Sequence, residues 1–554
     1  MSQRFETLYR NGIPPTEGSI LSPPWPGLNP RTEKVEKINM MIDYDVTVKT
    51  RSGYKIYVDV YRPDQDGKYP VIINWSPYGK HSRGLYSNRP SCGVDEEDLS
   101  EYVGFEAEDP CYWIPNGYII IRADPRGAWG SEGDLTFMTS QEAEDCYDLI
   151  EWAALQPWSN GKVGMSGVSY LAWIQWKVAA LNPPHLAAIN PWEGATDFYR
   201  EFAFHGGVPT TFLPRWAELS FGRSFGKVED VAEMAKRHPL LDEYWQSKNA
   251  DLSRIVVPAF VVASWSDQGL HTRGTIEGFC KISSKDKWLL IHGRRKWQTY
   301  YDKEFVEKRR MFFDRFLKGI DNDVKNWPRI IYEVRYRFYA GRWKTSTGWP
   351  IPQTKYIPLY LDAKNKELRE QNPREMSQAC YDTDKNENLV FDYTFQRKTE
   401  ITGYMKLKLW VTTEHSDDMD LFVGIQKVDR SGQPVYFPIA TFGEDGLAAL
   451  GWLRASHREL DADSSTFYRP VYRHQRLLKL MPGEIVPVEI EIWPSSTMFY
   501  AGEKLRLVIQ GSDIYKCPYG LFAHGALANK GKHVVYSGGK YDSHLLVPFI
   551  PSIQ

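Results

Sequence analysis

The residues with the most chemical promise lie between Gly164 and Leu171, where the chain reads Gly-Met-Ser-Gly-Val-Ser-Tyr-Leu. Lys162 to Met165 is a short strand-like run and Tyr170 to Leu181 has an amphipathic helical pattern. A serine between such segments, two residues after a glycine, suits a sharp strand-to-helix turn that leaves its hydroxyl exposed. Small neighbours are needed there because the two backbones crowd the serine. Gly167 meets that need before Ser169; two positions after it stands Leu171, then Ala172. Ser166 offers a competing register, but the clean helical pattern starts after Ser169, which makes Ser169 the candidate nucleophile. A serine hydroxyl is a poor nucleophile without a positioned base. The chemistry in prospect is acyl transfer, and an imidazole has to be found for it.

The elements around that turn set the frame. Tyr44 to Lys49 and Tyr54 to Tyr61 alternate around Arg51-Ser52-Gly53, a hairpin pattern. Tyr69 to Trp75 and Gly117 to Ala123 are apolar, β-branched runs of the kind buried on both faces of a parallel sheet. Gln141 to Leu155 reads as a helix with Ala143, Cys146, Leu149, Ile150 and Ala153 on one face. Strands alternating with helices predict a doubly wound sheet. Residues 196–252 lose that rhythm and read as an inserted cap with helical stretches at Phe212 to Phe221 and Val228 to Lys236. The core resumes at Pro258 to Ser264 and Lys287 to His292, and a helix from Lys303 to Leu317 closes it. From about Ile331 the pattern is all-β, with strands at Tyr404 to Thr412, Met419 to Val428, Val486 to Ile492 and Lys504 to Gln510.

Composition excludes several classes of function. With 554 residues the chain exceeds one hydrophobic core, and its net charge of −2 with scattered Lys and Arg argues against nucleic acid or an anionic membrane as partner. Six well-separated cysteines with no C-x-x-C pair argue against a zinc knuckle or disulfide scaffold and suit a reducing compartment. Met1 to Pro15 has no apolar signal core and no apolar run is long enough to span a bilayer, so a soluble, cytoplasmic protein is expected. No His-Glu-x-x-His, EF-hand or Walker-type loop occurs; Ser416 to Asp420 gathers three acids but reads as a charged turn. Neither metal nor cofactor is therefore expected. The 14% aromatic content, including 20 Trp and 33 Tyr, suits bulky core packing or an aromatic-walled pocket.

Several segments together resemble the cocaine esterase and X-Pro dipeptidyl-peptidase (CocE/NonD) family of α/β-hydrolases, which also includes α-amino-acid ester hydrolases. They are Ser76 to Lys80 (SPYGK), Asp124 to Gly133 (DPRGAWGSEG), Gly164 to Leu171, Ser264 to Asp267 (SWSD), Phe313 to Gly319 (FDRFLKG), Pro482 to Glu484 and Ser543 to Pro548 (SHLLVP). The resemblance runs from about residue 40 to the C-terminus in unbroken order. It implies an α/β fold: an α/β-hydrolase core (39–195 and 253–330) with a helical cap insertion (196–252) and a C-terminal all-β jelly-roll domain (331–554), after an extended arm (1–38).

The resemblance also implies roles. Ser169 matches the nucleophile, Tyr78 the tyrosine whose hydroxyl forms the oxyanion hole with the backbone N–H of Tyr170, and Asp267 the triad acid. The family's histidine lies in a Gly-Pro-Trp-x-His segment; here that stretch reads His292-Gly293-Arg294-Arg295-Lys296-Trp297, so Trp297 occupies its place. His292, at the end of the right strand, is the first candidate base, with His271, four residues after Asp267, as the alternative. Trp75, His81 and Trp297 are candidates for lining the substrate pocket, as is His205 in the cap. Arg294, Arg295 and Lys296 read most simply as a solvated loop, or else as binders of a substrate carboxylate. The reading is a serine carboxylic-ester hydrolase with an incomplete or unusual triad, acting on a small, apolar or aromatic ester rather than an amide or X-Pro peptide. Two alternatives stand beside it: a lyase, cyclase or acyltransferase of specialised metabolism, and a catalytically degenerate binding protein. Self-association into a homo-oligomer is left open.

Overall fold

The computed structural model describes residues 5–19, 22–82, 93–212, 221–440, 443–516 and 523–551. The apolar runs form one twisted sheet: β1 (Met40–Lys49), β2 (Lys55–Pro63), β3 (Tyr69–Trp75), β4 (Ile119–Asp124), β5 (Ser159–Val168), β6 (Leu186–Trp192), β7 (Ala259–Ser264), β8 (Lys287–His292) and β9 (Ile330–Arg337). Their order is β1-β2-β4-β3-β5-β6-β7-β8-β9, antiparallel as far as β4 and parallel from there on. β4 and β7 are buried along their whole length, which is why they read as unbroken apolar runs rather than alternating ones.

Two strands extend the sheet beyond the expected limits. Arg31–Val35 pairs with β1, within the stretch read as an extended arm, and β9 joins β8 in parallel before Ala340–Ser346 turns back on it. The arm's other end, Tyr9–Asn11, pairs with Lys227–Glu229 of the inserted segment.

The helices on the sheet are α1 (Ser140–Ala154), α2 (Tyr170–Ala179), α3 (Thr272–Lys281), α4 (Lys296–Tyr301) and α5 (Lys303–Phe313). The side chain of Thr139 caps α1 by accepting the Glu142 N–H at 3.2 Å, and the apolar face read from sequence is the buried one. α2 departs from its amphipathic reading: all ten residues are buried, and Lys177 satisfies its ammonium on the Ser247 and Asn249 carbonyls. The inserted segment holds the short helices Val231–Arg237 and Glu243–Lys248. Most of the expected helix between Phe212 and Phe221 lies outside the described residues.

The C-terminal region is built of long antiparallel ladders. Thr399–Thr413 pairs with Val486–Phe499, and Asp420–Val428 lies between Lys504–Gln510 and Ala449–Arg454. Leu407, Leu409, Val411, Leu421, Ile490 and Leu507 belong to an apolar core of their own, separate from that of the parallel sheet. Among the described residues no helix is long and apolar enough to cross a membrane.

Candidate active site

Every residue considered for catalysis except Tyr170 lies at or just beyond the C-terminal end of a parallel strand, where open α/β sheets bind ligands. β5 ends at Val168 and α2 starts at Tyr170, so Ser169 alone makes the turn, at φ 60° and ψ −115°. This is the left-handed region, rarely adopted by a non-glycine residue, and the strain points the hydroxyl outward. Gly167 (φ 135°) makes room: a Cβ there would stand 2.5 Å from the Leu171 Cβ. The bulk at Leu171 is thus matched by the missing side chain two residues before Ser169. The second close approach is taken by Ala172 against Gly194.

The structure brings His271 to the serine. Its Nε2 lies 2.9 Å from Ser169 Oγ. The loop after β7 makes this possible by coiling immediately: the N–H groups of Leu270, His271 and Thr272 all donate to the Asp267 carbonyl. That turn leads into α3 and carries the imidazole back over the sheet. His292, the first candidate from sequence, is not at the serine. It is fully buried, and its Nε2 lies 3.0 Å from Glu193 Oε1, in the residue that follows β6. Its Nδ1 instead accepts the Arg294 N–H at 3.3 Å in the turn after β8.

Asp267 does not bond His271. Its carboxylate meets Lys296 Nζ at 3.4 Å and faces Glu193, while His271 Nδ1 has no hydrogen-bond partner among the described residues. Burial, opposed by Lys296 and reinforced by Glu193, raises the Asp267 carboxyl to about 6. Burial, then the nearby Lys296 charge, holds the His271 imidazole well below its usual range. With the ring proton on Nδ1, Nε2 is free to accept the serine proton at neutral pH.

Tyr78 reaches the elbow from the loop after β3. Its hydroxyl is within hydrogen-bond reach of Ser169, the Tyr170 N–H and the Glu106 carboxylate. Around it, the Lys80 N–H donates to Asp124 Oδ1 at 2.7 Å, and Lys80 Nζ pairs with Asp45 and Asp59, each at 2.7 Å. Tyr170 is fixed from below, its hydroxyl donating to Glu142 at 2.7 Å.

Three sequence assignments are corrected. Trp75 is buried and donates its indole N–H to Glu142 at 3.0 Å, so it is a core residue beneath Tyr170 and not a pocket wall. His81 packs edge-on against Trp129 and lies 3.4 Å from the Pro23 carbonyl, bracing the N-terminal segment. The cations after β8 are no solvated loop: Arg295 and Lys296 are buried, Arg295 paired with Glu444 and Lys296 with Asp267. Trp297 lies against the site through Phe105 (ring centroids 5.3 Å apart) and donates its indole N–H to Glu106 at 2.7 Å. His205 bonds His524 at 2.8 Å and packs at a tilt against Trp452, facing the C-terminal unit. Glu106 and Glu193 escaped sequence reading, since each is a lone acid outside any motif.

The wall around Ser169 and His271 is aromatic. Phe202 stands 5.8 Å from the His271 ring and packs on Trp173 (4.3 Å) and Phe212 (5.2 Å), while Phe221 packs on Tyr78 at 4.9 Å. Among the described residues no group of three or more His, Cys, Asp or Glu is placed to hold a metal ion.

Comparison with known proteins agrees with this architecture. Residues 52–295 match the X-Pro dipeptidyl-peptidase (S15) family and residues 322–546 the X-Pro dipeptidyl-peptidase C-terminal non-catalytic domain. A CocE/NonD family hydrolase from Staphylococcus aureus is 44% identical over 92% of this chain and 94% of its own, with a TM-score of 0.90. The cocaine esterase of a Rhodococcus species is 23% identical over 92% of this chain and 99% of the relative. An Xaa-Pro dipeptidyl-peptidase of Streptococcus gordonii is 20% identical over 83% of this chain and 72% of the relative. With this coverage and identity, the chain belongs to the CocE/NonD family of α/β-hydrolases.

Proposed function

We propose that the protein is a serine esterase acting through an acyl-enzyme on Ser169, with His271 as general base. The observation that carries this reading is the 2.9 Å contact between Ser169 Oγ and His271 Nε2. As Oγ bonds the ester carbonyl carbon, Nε2 takes its proton and the carbonyl π pair moves onto oxygen. The N–H of Tyr170 and the hydroxyl of Tyr78 receive that oxyanion, each such donor contributing roughly 3–4 kcal/mol. Collapse expels the alkoxide, which takes the proton back from His271, and water repeats the sequence to release the acid. We read the C-terminal unit as a jelly roll and residues 196–252 as a cap; the cap supplies Phe202 and Phe212 to the aromatic wall, which suits an apolar or aromatic acyl group.

Esters are favoured over X-Pro peptides because a peptidase of that kind must hold a free ammonium on a carboxylate. Among the described residues the carboxylates of this site are engaged: Glu106 by Trp297, Asp267 by Lys296, Glu193 by Ser264 at 2.7 Å. The lyase, cyclase and binding-protein alternatives drew on the displaced histidine, and His271 supplies an imidazole in its stead. A fluorophosphonate probe tests the reading. Wild type should label, Ser169→Ala should not, and His271→Ala should lose on the order of 10⁶-fold in rate, the scale seen when a serine hydrolase loses a member of its reacting pair. Folded wild type that stays unlabelled overturns the hydrolase reading. Labelling that survives His271→Ala but not His292→Ala overturns the choice of base.

A further inference from the structure

A chain of polar contacts leads from α4 to the nucleophile. Trp297 donates to Glu106 Oε1 at 2.7 Å, the Glu106 carboxyl lies beside the Tyr78 hydroxyl, and that hydroxyl faces Ser169 and the Tyr170 N–H. Glu106 is held in place through its backbone as well. It sits at φ 59°, and its carbonyl accepts the Val168 N–H at 3.0 Å, one residue before the nucleophile.

The phenol has one proton to give and two neighbours that want it: the Glu106 carboxylate, and the oxyanion that forms during acyl transfer. We infer that Glu106 is the positioning residue of the oxyanion hole. As a neutral acid it donates to the Tyr78 oxygen and leaves the phenolic O–H for the oxyanion; as a carboxylate it draws that O–H to itself. The inference rests on the acyl chemistry proposed for Ser169. In the ionised state the Tyr78 lone pairs face the oxyanion, so one of its two donors is lost. The carbonyl side of the neutral acid keeps the Trp297 bond, so the switch needs only a change in which oxygen carries a proton.

Among the described residues the groups facing Glu106 are Tyr78 from the loop after β3, Lys296 and Trp297 from α4, and Asp267 from the loop after β7. Burial pushes the Glu106 carboxyl up to about 7, with Asp267 adding to it; Lys296 and the bonds from Trp297 and Tyr78 oppose. His271, held well below its usual range, is already neutral there. A serine hydrolase with an ordinary imidazole gains activity as pH rises through neutrality; this one should lose it as Glu106 ionises.

The test is kcat and KM for phenyl acetate, measured from about pH 5 to about pH 9, where the usual limbs of such profiles fall. Wild-type kcat should fall through about pH 7 while KM stays level, since Glu106 does not touch the substrate. In Glu106→Gln the amide N–H donates permanently to Tyr78 and its carbonyl accepts from Trp297, so the alkaline fall should vanish and kcat stay at the acid-side plateau. Tyr78→Phe should lose on the order of 10²–10³-fold in kcat and lose the limb with it. Trp297→Phe removes a bond that favours the carboxylate and should move the limb to higher pH. The inference is overturned if folded Glu106→Gln keeps the wild-type limb, or if its kcat drops to the Tyr78→Phe level at every pH. Should Glu106→Gln not fold, an unmoved limb in Trp297→Phe overturns it equally. Wild type that labels and turns over but shows no such limb removes the relay alone; wild type that does neither removes the acyl reading too.

Discussion

That His271 and not His292 lies beside Ser169 follows from the direction in which one side chain leaves a strand. His292 ends β8 opposite Ser264, and the Glu193 carboxylate beneath takes up that imidazole. Position in the chain says only that a histidine stands near the right strand; pleat and neighbours decide whether it faces the elbow. His271 was legible as an alternative because a four-residue separation from Asp267 is one helical turn, and the loop does coil there. Asp267 was legible in place but not in partner. Lys296, next to the Trp297 that fills the family's histidine position, supplies the cation this carboxylate needs, and among the described residues His271 has no acid on Nδ1. Asp267→Asn should therefore keep kcat for an ester within about tenfold of wild type, against the roughly 10⁴-fold fall that follows when a bonded triad acid is neutralised. Steady-state kinetics on the folded variant decides it: a loss near the larger figure would mean that Asp267 turns to His271 during turnover.

At the scale of elements, the parallel strands and the elbow were readable because each is announced by local chemistry: β-branched runs for full burial, and a glycine where two backbones converge. α2 was misread because amphipathicity shows in a sequence only when one face meets water, and here α1 and the Leu252–Arg254 turn cover the helix. α4 went unseen because it is too short to show a helical period. It is six residues long and opens with a lysine after two arginines; Lys296 is buried against Asp267, while Trp297, Tyr300 and Tyr301 join the apolar core. The elbow's own compensation, Gly167 against Leu171, can be tested directly. Gly167→Ala meets two obstacles, a φ of 135° and a Cβ within 2.6 Å of the Leu171 side chain, each costing about 1–3 kcal/mol. The thermal midpoint should fall, and fluorophosphonate labelling of Ser169 should slow as the turn shifts. Labelling at the wild-type rate would show that the elbow tolerates a different backbone.

Across the whole molecule, the switch from mixed to all-β pattern near residue 331 marked where a second core begins, but nothing in it told how the two cores grip each other. The grip falls on the loop and helix that carry His271. Gln268 donates to the Pro494 carbonyl at 3.1 Å and accepts the Leu450 N–H, also at 3.1 Å, and Arg273, two residues after His271, joins three segments. Its guanidinium bonds Glu491 of the C-terminal unit at 3.0 Å and Glu201 of the inserted segment at 2.8 Å, with almost no exposure to water. Such side chains are far apart in sequence and polar, so periodicity says nothing of them. Arg273→Met strands two buried carboxylates, and removing one partner of a buried pair costs about 3–5 kcal/mol. The cost should depend on pH in a definite direction. Burial already raises Glu201 to about 7 beside Arg273; without that cation its folded value climbs further above the unfolded one. A raised carboxylate keeps its stability below the unfolded pKa and loses it as pH rises toward the folded one. The variant's deficit in unfolding midpoint should thus be small near about pH 4.5, the unfolded carboxylate value, and grow as pH rises through 7. Its Ser169 labelling should slow in parallel, since α3 loses its anchor beside His271. A deficit constant over that range would mean that Arg273 contributes only packing.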